Sequence, residues 1–484
     1  MPADTAKASA KGVLIAAPSS GAGKTTLTLA LLRALKSAGR SVVSAKSGPD
    51  YIDPKFHEAA SGTPCINLDA WAMDPATLQM LVHRQADSHD VLVVEGAMGL
   101  FHEAASGTPC INLDAWAMDP ATLQMLVHRQ ADSHDVLVVE GAMGLFDGAA
   151  SGKGSAADLA ATLHLPVILV VDCGKQAQSV AALVHGFQSF RPDINLAGVI
   201  LNKVGSPRHE AMLRAALAPL AVDVLGVLPR AQELGLPERH LGLVQAGEHP
   251  DLETFLEKAS DLCARNVDLN RLETLAEPLS PAGDNREHLP APLGQCIAIA
   301  RDVAFAFSYP HLLEFWRRQG ARLEFFSPLA DEAPSPDADA IFLPGGYPEL
   351  HAGKLAAADR FKAGVLRAAA TGKLIYGECG GYMALGKGMI DADGTRHEML
   401  GLLPLETSFQ TRKRHLGYRK VMPLRDLPWQ MPLSAHEFHY ASIMSEGGAE
   451  RLFSAEDAEG NELAQMGLRA GPVMGSFAHV IAVA

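Results

Sequence analysis

The chain has 484 residues, 48% hydrophobic and 20% charged, the balance of a globular protein long enough for two or three domains, each with a full core. Its formal net charge of −14 excludes a nucleic-acid partner gripped through phosphate contacts. No apolar run reaches the roughly 18 residues a membrane span needs. The six scattered cysteines, without a CxxC pair, suit the reducing cytoplasm and argue against structural zinc.

The opening MPADTAKASAKG has no apolar signal core and reads as a lead-in. GVLIAA (12–17) then reads as a buried strand, and TTLTLALLRALKSAG as an amphipathic helix ended by Gly39. Between them, APSSGAGKTT (17–26) fits the phosphate-loop pattern G-x-x-x-x-G-K-[ST], except that Pro18 occupies the first glycine position. Strand before and helix after argue against a chance glycine-rich turn. Backbone N–H groups from Ser20 through Gly21, Gly23, Lys24, Thr25 and Thr26 can cradle phosphates at a helix N-terminus, with the Lys24 ammonium reaching the outer oxygens. The expected ligand is ATP with Mg²⁺, and the Thr25 hydroxyl is an oxygen donor of the kind Mg²⁺ prefers.

SVVSAK (41–46) reads as the next strand, followed by the loop SGPDYIDPKFH. A repeat comes next: residues 57–101 recur letter for letter as 102–146, each copy carrying six acidic residues and one Arg. Two identical copies, without the drift of a solenoid, indicate a recent tandem duplication or an error in the recorded sequence. A parallel sheet has room for VLVVEGAMGLF once at its proper place, so the surplus copy is expected to form an excursion. The alternative is an enlarged sheet that contains both copies. Glu140 ends the apolar run DVLVVE where a second Mg²⁺-directed carboxylate is expected, and Glu95 is its twin; the sequence does not choose between them.

LPVILVVD (165–172), LAGVILNKV (196–204) and VDVLGVLP (222–229) alternate with helical patterns, which indicates a parallel, doubly wound sheet. Active groups gather beyond the strand C-termini in such a sheet. That rim would hold the phosphate loop, KSGPDYIDP, EGAMGLFDG and NKVGSP. Asp50, Asp53 and Asp147 lie on its Gly/Pro-rich loops, available to metal or substrate or simply forming turns; Tyr51 is either a substrate contact or packing. Asn202 either reads an adenine or is an exposed strand-end residue.

Residues 245–293 read as helices and then a breaker-rich linker, after which a second strand–helix series begins at CIAIARD. In KLIYGECGGYMALG, Cys379 falls between an apolar strand and a glycine-rich helix start. This is the thiol form of a nucleophile elbow, expected to expose the side chain and lower its pKa through helix N–H groups. PGGY (344–347) offers backbone N–H groups at Gly345 and Gly346 to an oxyanion, and GSFAHV offers His479 as the base. The cysteines at 65, 110, 173, 263 and 296 lack such a setting and read as structural. The two histidines of HEFHY (436–440) also read as structural.

GECGGYMALG, LPGGYPELH and GSFAH together resemble the class I glutamine amidotransferase domain of the cobyric-acid-synthase type, in which Cys and His are kept and the Glu two residues beyond the His is missing. Here that position is Ile481. APSSGAGKTT, KSGPDYIDPKFH, EGAMGLFDG and PERHLGLV (237–244) resemble the cobyrinate (hydrogenobyrinate) a,c-diamide synthase family, over essentially the whole chain apart from the surplus repeat, which the family pattern lacks.

The resemblance implies an α/β protein with an N-terminal P-loop, dethiobiotin-synthetase-like parallel-sheet domain (1–245), a helical, Pro-rich linker (246–293) and a C-terminal class I glutamine-amidotransferase-like α/β domain (294–484). It implies glutamine hydrolysis at Cys379 through a thioester. MgATP would then phosphorylate the a and c acetate carboxylates of cobyrinic or hydrogenobyrinic acid, with ammonia displacing phosphate, in cobalamin biosynthesis. It assigns Gly23, Lys24, Thr25 and Glu140 to ATP and Mg²⁺, and Asp50, Tyr51, Asp53 and Asp147 to substrate. It leaves room for a homodimer. The competing readings are a nickel-sirohydrochlorin a,c-diamide synthase, a cobyric acid synthase, a partitioning or metal-insertion ATPase with a dead amidotransferase domain, and a duplication-impaired protein that retains only glutaminase activity.

Overall fold

The computed structural model describes residues 11–39, 42–47, 53–63, 65–68, 91–96, 136–140, 144–147, 155–163, 165–231, 238–239, 242–243, 251–278, 289–411, 413–424 and 427–484. The chain divides into two compact units, 1–287 and 288–484.

Among the described residues, the first unit is built on a nine-stranded sheet. Eight strands are parallel, in the order Ile66–Leu68, Val42–Ser47, Val91–Gly96, Val136–Glu140, Lys11–Ala16, Val167–Asp172, Leu196–Val204 and Asp223–Pro229. Glu277–Pro278 pairs antiparallel with the start of Lys11–Ala16. Val13, Leu14 and Ile15 and the run Val167–Val171 are fully buried, as expected of parallel strands covered on both faces.

The helix Lys24–Ser37 has Gly23 at its N-cap and buries Leu27, Leu31 and Leu35. Arg33 fastens it to its neighbours: Nε donates to the Ala60 carbonyl at 2.9 Å, and Nη1 pairs with Glu253 at 2.9 Å. Glu253 belongs to the helix Leu252–Asn266, so the helical part of the 246–293 segment packs within the first unit.

The surplus VLVVE strand does not stand outside the sheet as expected. Both VLVVE runs are strands of the sheet, adjacent and parallel, with Val91 opposite Val136 and Glu95 opposite Glu140. The physical reason lies in their shared composition: an all-apolar strand is stable only with both faces covered and both edges paired, and a copy left outside would carry unpaired backbone and bare valines. The duplication widens the sheet by one strand.

The second unit has a ten-stranded mixed sheet. Five parallel strands run in the order Arg322–Phe326, Cys296–Ala300, Ala340–Leu343, Leu374–Glu378 and Val473–Ser476. Antiparallel strands continue through Glu462–Ala470, Glu450–Asp457, His415–Pro423 and Leu433–His439 to Ala478–Val483. Trp316 and Trp429 are fully buried, and their indole N–H groups are satisfied by the carbonyls of Pro290 and Ala291. Among the described residues, no helix is long and apolar enough to cross a membrane.

Candidate active sites

In the first unit the phosphate loop follows the central strand Lys11–Ala16. Gly21 and Gly23 take left-handed backbone conformations, φ 79° and 91°, which turn the chain into the helix. That helix carries no acidic side chain in its first turn, so its N–H groups face an anion without competition. Lys24 is buried at 9% exposure, Thr25 and Thr26 are half-buried, and Ser20 and Gly21 are exposed.

Asn202 lies against this loop: its Nδ2 donates to the Ala22 carbonyl at 2.9 Å, and its Oδ1 accepts the Lys203 N–H. A Cβ on Gly23 would stand 2.4 Å from Asn202 Nδ2, so only glycine permits this approach. Lys203 Nζ bridges the Gly21 carbonyl at 3.1 Å and Asp172 Oδ2 at 2.7 Å. Burial alone would raise the Asp172 pKa, but hydrogen bonds from Lys203 and the Gly174 N–H outweigh it and hold the carboxyl below its ordinary value. Asp172 and Lys203 were not singled out from the sequence, although Asp172 ends one strand at this rim and Lys203 is the penultimate residue of the next.

Residues 144–147 of GLFDG dock on the start of the loop, where the Leu145 N–H donates to the Ala17 carbonyl at 2.8 Å. Asp147 is exposed, and its Oδ2 accepts the Gly144 N–H at 3.0 Å, a turn-forming bond. Glu140 ends the strand immediately beside Lys11–Ala16, in register with Ile15, whereas Glu95 is the penultimate residue of the strand one place further out. Asp53 begins the helix Asp53–Ser61. Asp50 and Tyr51 lie outside the described residues.

In the second unit Cys379 has φ 45° and ψ −101°, a strained conformation for a residue with a Cβ and the mark of a nucleophile elbow. Its N–H is held by the Ser476 carbonyl at 2.8 Å, and its Sγ donates to the Phe438 carbonyl at 3.7 Å. A Cβ on Gly380 would lie 3.0 Å from Gly346 N, and one on Gly345 would lie 2.3 Å from His479 Cε1. The PGGY turn is therefore wedged against both the elbow and the imidazole.

The expected exposed, low-pKa thiol is not found. Cys379 is buried at 3% exposure, and burial, followed by the nearby Glu349 charge, pushes its thiol well above the ordinary range; the Gly380 N–H acts the other way and loses. Burial, with His436 and His439 adding to it, lowers His479 to about 3. The resting pair is a neutral thiol and a neutral imidazole, so charge separation must await substrate.

Around this pair lie Glu378, Glu437 and His415, which the sequence did not single out, and the two HEFHY histidines that it read as structural. Glu378 is buried at 2% exposure and pushed up to about 8 by burial, opposed by the Val480 N–H and the Tyr376 hydroxyl. Its Oε2 is 3.9 Å from His479 Nδ1. His436 stands opposite His479 across the antiparallel pair. On the same strand, Glu437 pairs with Arg419 at 2.8 Å and His439 at 3.1 Å, and these partners hold it at about 2 against the opposing effect of burial. His415 stacks on His439, and ligand atoms of His415, Glu437 and His439 lie within 4.8 Å of one another. Spacing could not reveal this cluster, because its members come from two strands.

Cys65, Cys173, Cys263 and Cys296 are buried; burial raises Cys173 and Cys263 to about 12, and Cys296 Sγ accepts from the Arg322 guanidinium at 3.2 Å. Cys110 lies outside the described residues.

Residues 13–244 match the CobQ/CobB/MinD/ParA nucleotide binding domain, and residues 296–484 match the CobB/CobQ-like glutamine amidotransferase domain. A hydrogenobyrinate a,c-diamide synthase from Brucella suis is 57% identical over 97% of this chain and 98% of its own length. Proteins of the same name from Sinorhizobium sp. and Mesorhizobium japonicum are 53% and 45% identical, each over 98% of this chain and 99% of their own. The chain is an α/β protein with a P-loop parallel-sheet domain followed by a class I glutamine-amidotransferase-like domain, and it belongs to the hydrogenobyrinate a,c-diamide synthase family.

Proposed function

We propose that this protein is a glutamine-dependent amide-forming ligase that converts the a and c acetate carboxylates of hydrogenobyrinic acid to amides at the expense of ATP. The near-full-length identity to the relatives supports the substrate. The observation that carries the chemistry is the elbow at Cys379, strained, buried and pressed against the same PGGY turn that touches His479.

In the glutaminase half, the thiol proton passes to His479 as Cys379 Sγ attacks the glutamine amide carbon. Gly346 N–H and Gly380 N–H are the oxyanion donors this geometry favours, with Gly345 setting the turn beside the imidazole. His479 returns the proton to the departing nitrogen, ammonia leaves, and water then releases glutamate from the thioester.

In the synthetase half, the Ser20–Thr26 backbone and Lys24 orient the ATP phosphates. A carboxylate oxygen of the substrate takes the terminal phosphoryl group and releases ADP; ammonia then attacks the acyl phosphate carbon and phosphate departs. The fit of the loop to a phosphate chain rests on its two left-handed glycines and on the acid-free helix start. Mg²⁺, held by Thr25 and Glu140, would neutralise charge on the phosphates. The place of Glu140 beside the phosphate-loop strand favours it over Glu95 as that ligand. Asp147, with Asp50, Tyr51 and Asp53, is assigned to the substrate.

The product mass decides. Incubation with MgATP, glutamine and hydrogenobyrinic acid should yield two carboxylate-to-amide conversions. Unchanged substrate with continuing glutamine hydrolysis would refute the assignment of the synthetase half.

A further inference from the structure

The base His479 needs a partner at Nδ1, both to fix the tautomer that leaves Nε2 free for the thiol proton and to offset the charge that develops there. The residue two places beyond the histidine, where the strand could bring a carboxylate, is Ile481, fully buried and apolar. Glu437, on the neighbouring strand opposite Ala478, is committed to Arg419 and His439. One other buried carboxylate reaches the imidazole. Glu378 ends the strand that leads into the elbow, its Oε1 accepts the Val480 N–H at 2.9 Å, and its Oε2 stands 3.9 Å from His479 Nδ1.

We propose that Glu378, the residue immediately before the nucleophile, is the positioning carboxylate of His479, supplied from the nucleophile's own strand in place of one on the histidine's strand. The Val480 bond makes the arrangement specific. It ties the carboxylate to the backbone next to His479, so that one oxygen is fixed and the other faces the ring. Glu378 acts through His479. With Glu378 ionised, the Nδ1 proton faces its Oε2, and Nε2 receives the thiol proton when glutamine is attacked. The ionised Glu378 then faces an imidazolium, an ion pair between two buried groups, which stabilises the charge-separated state relative to the neutral one. The contact is long for a hydrogen bond, as catalytic contacts commonly are before substrate tightens them. Burial raises Glu378 to about 8, so the ionised form that serves His479 gains population as pH rises toward 8.

This inference rests on the assignment of Cys379 and His479 as the reacting pair. Cys379→Ser should abolish glutaminase activity, and retention of activity would bring down that assignment itself. Given an inactive Cys379→Ser, the test of Glu378 is Glu378→Gln, which keeps the acceptor for the Val480 N–H and removes the charge. The expected result is a fall in glutaminase kcat of about 100-fold or more with KM within about twofold. A kcat within about threefold of wild type would overturn the proposal. A second measurement needs no variant of Glu378: ¹⁵N shifts of the His479 ring in the full-length protein, assigned by comparison with His479→Asn. A proton on Nδ1 is expected, and a proton on Nε2 would overturn the proposal even if Glu378→Gln failed to fold.

Discussion

Gly345→Ala is a sharp test of the way the PGGY turn positions the base. Gly345 is not in the left-handed region, so alanine imposes no backbone penalty there; the whole effect comes from its methyl group. That methyl would sit 2.3 Å from His479 Cε1 and 3.1 Å from Nε2, whereas ordinary contact begins near 3.4 Å. The turn cannot withdraw easily, because the Gly345 carbonyl accepts the Phe307 N–H at 2.9 Å. The imidazole, 1% exposed with Glu378 behind it, must therefore move by about 1 Å or tilt. A displacement of that size costs about 100-fold in rate, or roughly 2.7 kcal/mol of transition-state stabilisation. The assay is glutamate release from glutamine, run beside amidation driven by added ammonium, which bypasses the thiol. Glutamine-dependent turnover should fall about 100-fold while ammonium-dependent turnover stays at the wild-type level. Unchanged glutaminase kcat, or equal losses in both assays, would refute the reasoning.

Lys24→Ala should have the complementary effect, an expected loss of about 100-fold or more in both glutamine- and ammonium-driven amidation with glutamine hydrolysis retained; product mass and glutamate release measure the two. Excision of one 45-residue copy should leave a folded, active protein, since the same VLVVE strand would then sit between Val42–Ser47 and Lys11–Ala16 in the registers already seen for the two copies. A circular-dichroism melt and the amidation assay check this, and an unfolded excision product would show the widened sheet to be obligatory.

The pH dependence of stability should have a maximum near pH 6.5. His436 and His479, both lowered to about 3, leave the unfolded chain holding more protons below pH 6.5, so stability declines as pH falls toward 3. Glu378, raised to about 8, holds a proton in the folded state that the unfolded chain has already lost, so its contribution declines as pH rises from about 4.5 through 8. Urea midpoints of the second unit, followed through buried Trp316 and Trp429, should fall on both sides; a midpoint still rising between pH 6.5 and 8.5 would contradict this.

Much of the architecture was legible because it is local. LAGVILNKV is the strand Leu196–Val204, the helix after the phosphate loop spans Lys24–Ser37, and the strand LIYGE leads into Cys379 as the elbow pattern requires. Less legible was anything decided by burial. The elbow predicts an exposed thiol, yet packing under the Phe438 carbonyl desolvates Cys379 and outweighs the helix N–H groups.

The sequence by itself determined the order of apolar strands, the glycines that bend the two catalytic turns, and the pairing of a phosphate loop with a thiol elbow in one chain. These depend on residue type and spacing over a dozen positions or fewer, where backbone sterics and hydrophobic periodicity act directly. Only the tertiary structure decided which copy of a duplicated strand flanks the phosphate loop. Two identical segments have identical propensities, and only pairing in the sheet separates them. It also decided that Glu378, about a hundred positions upstream of His479, faces the imidazole. Proximity of that kind is set by strand order and register, and the field in which the two groups titrate is set by everything packed around them.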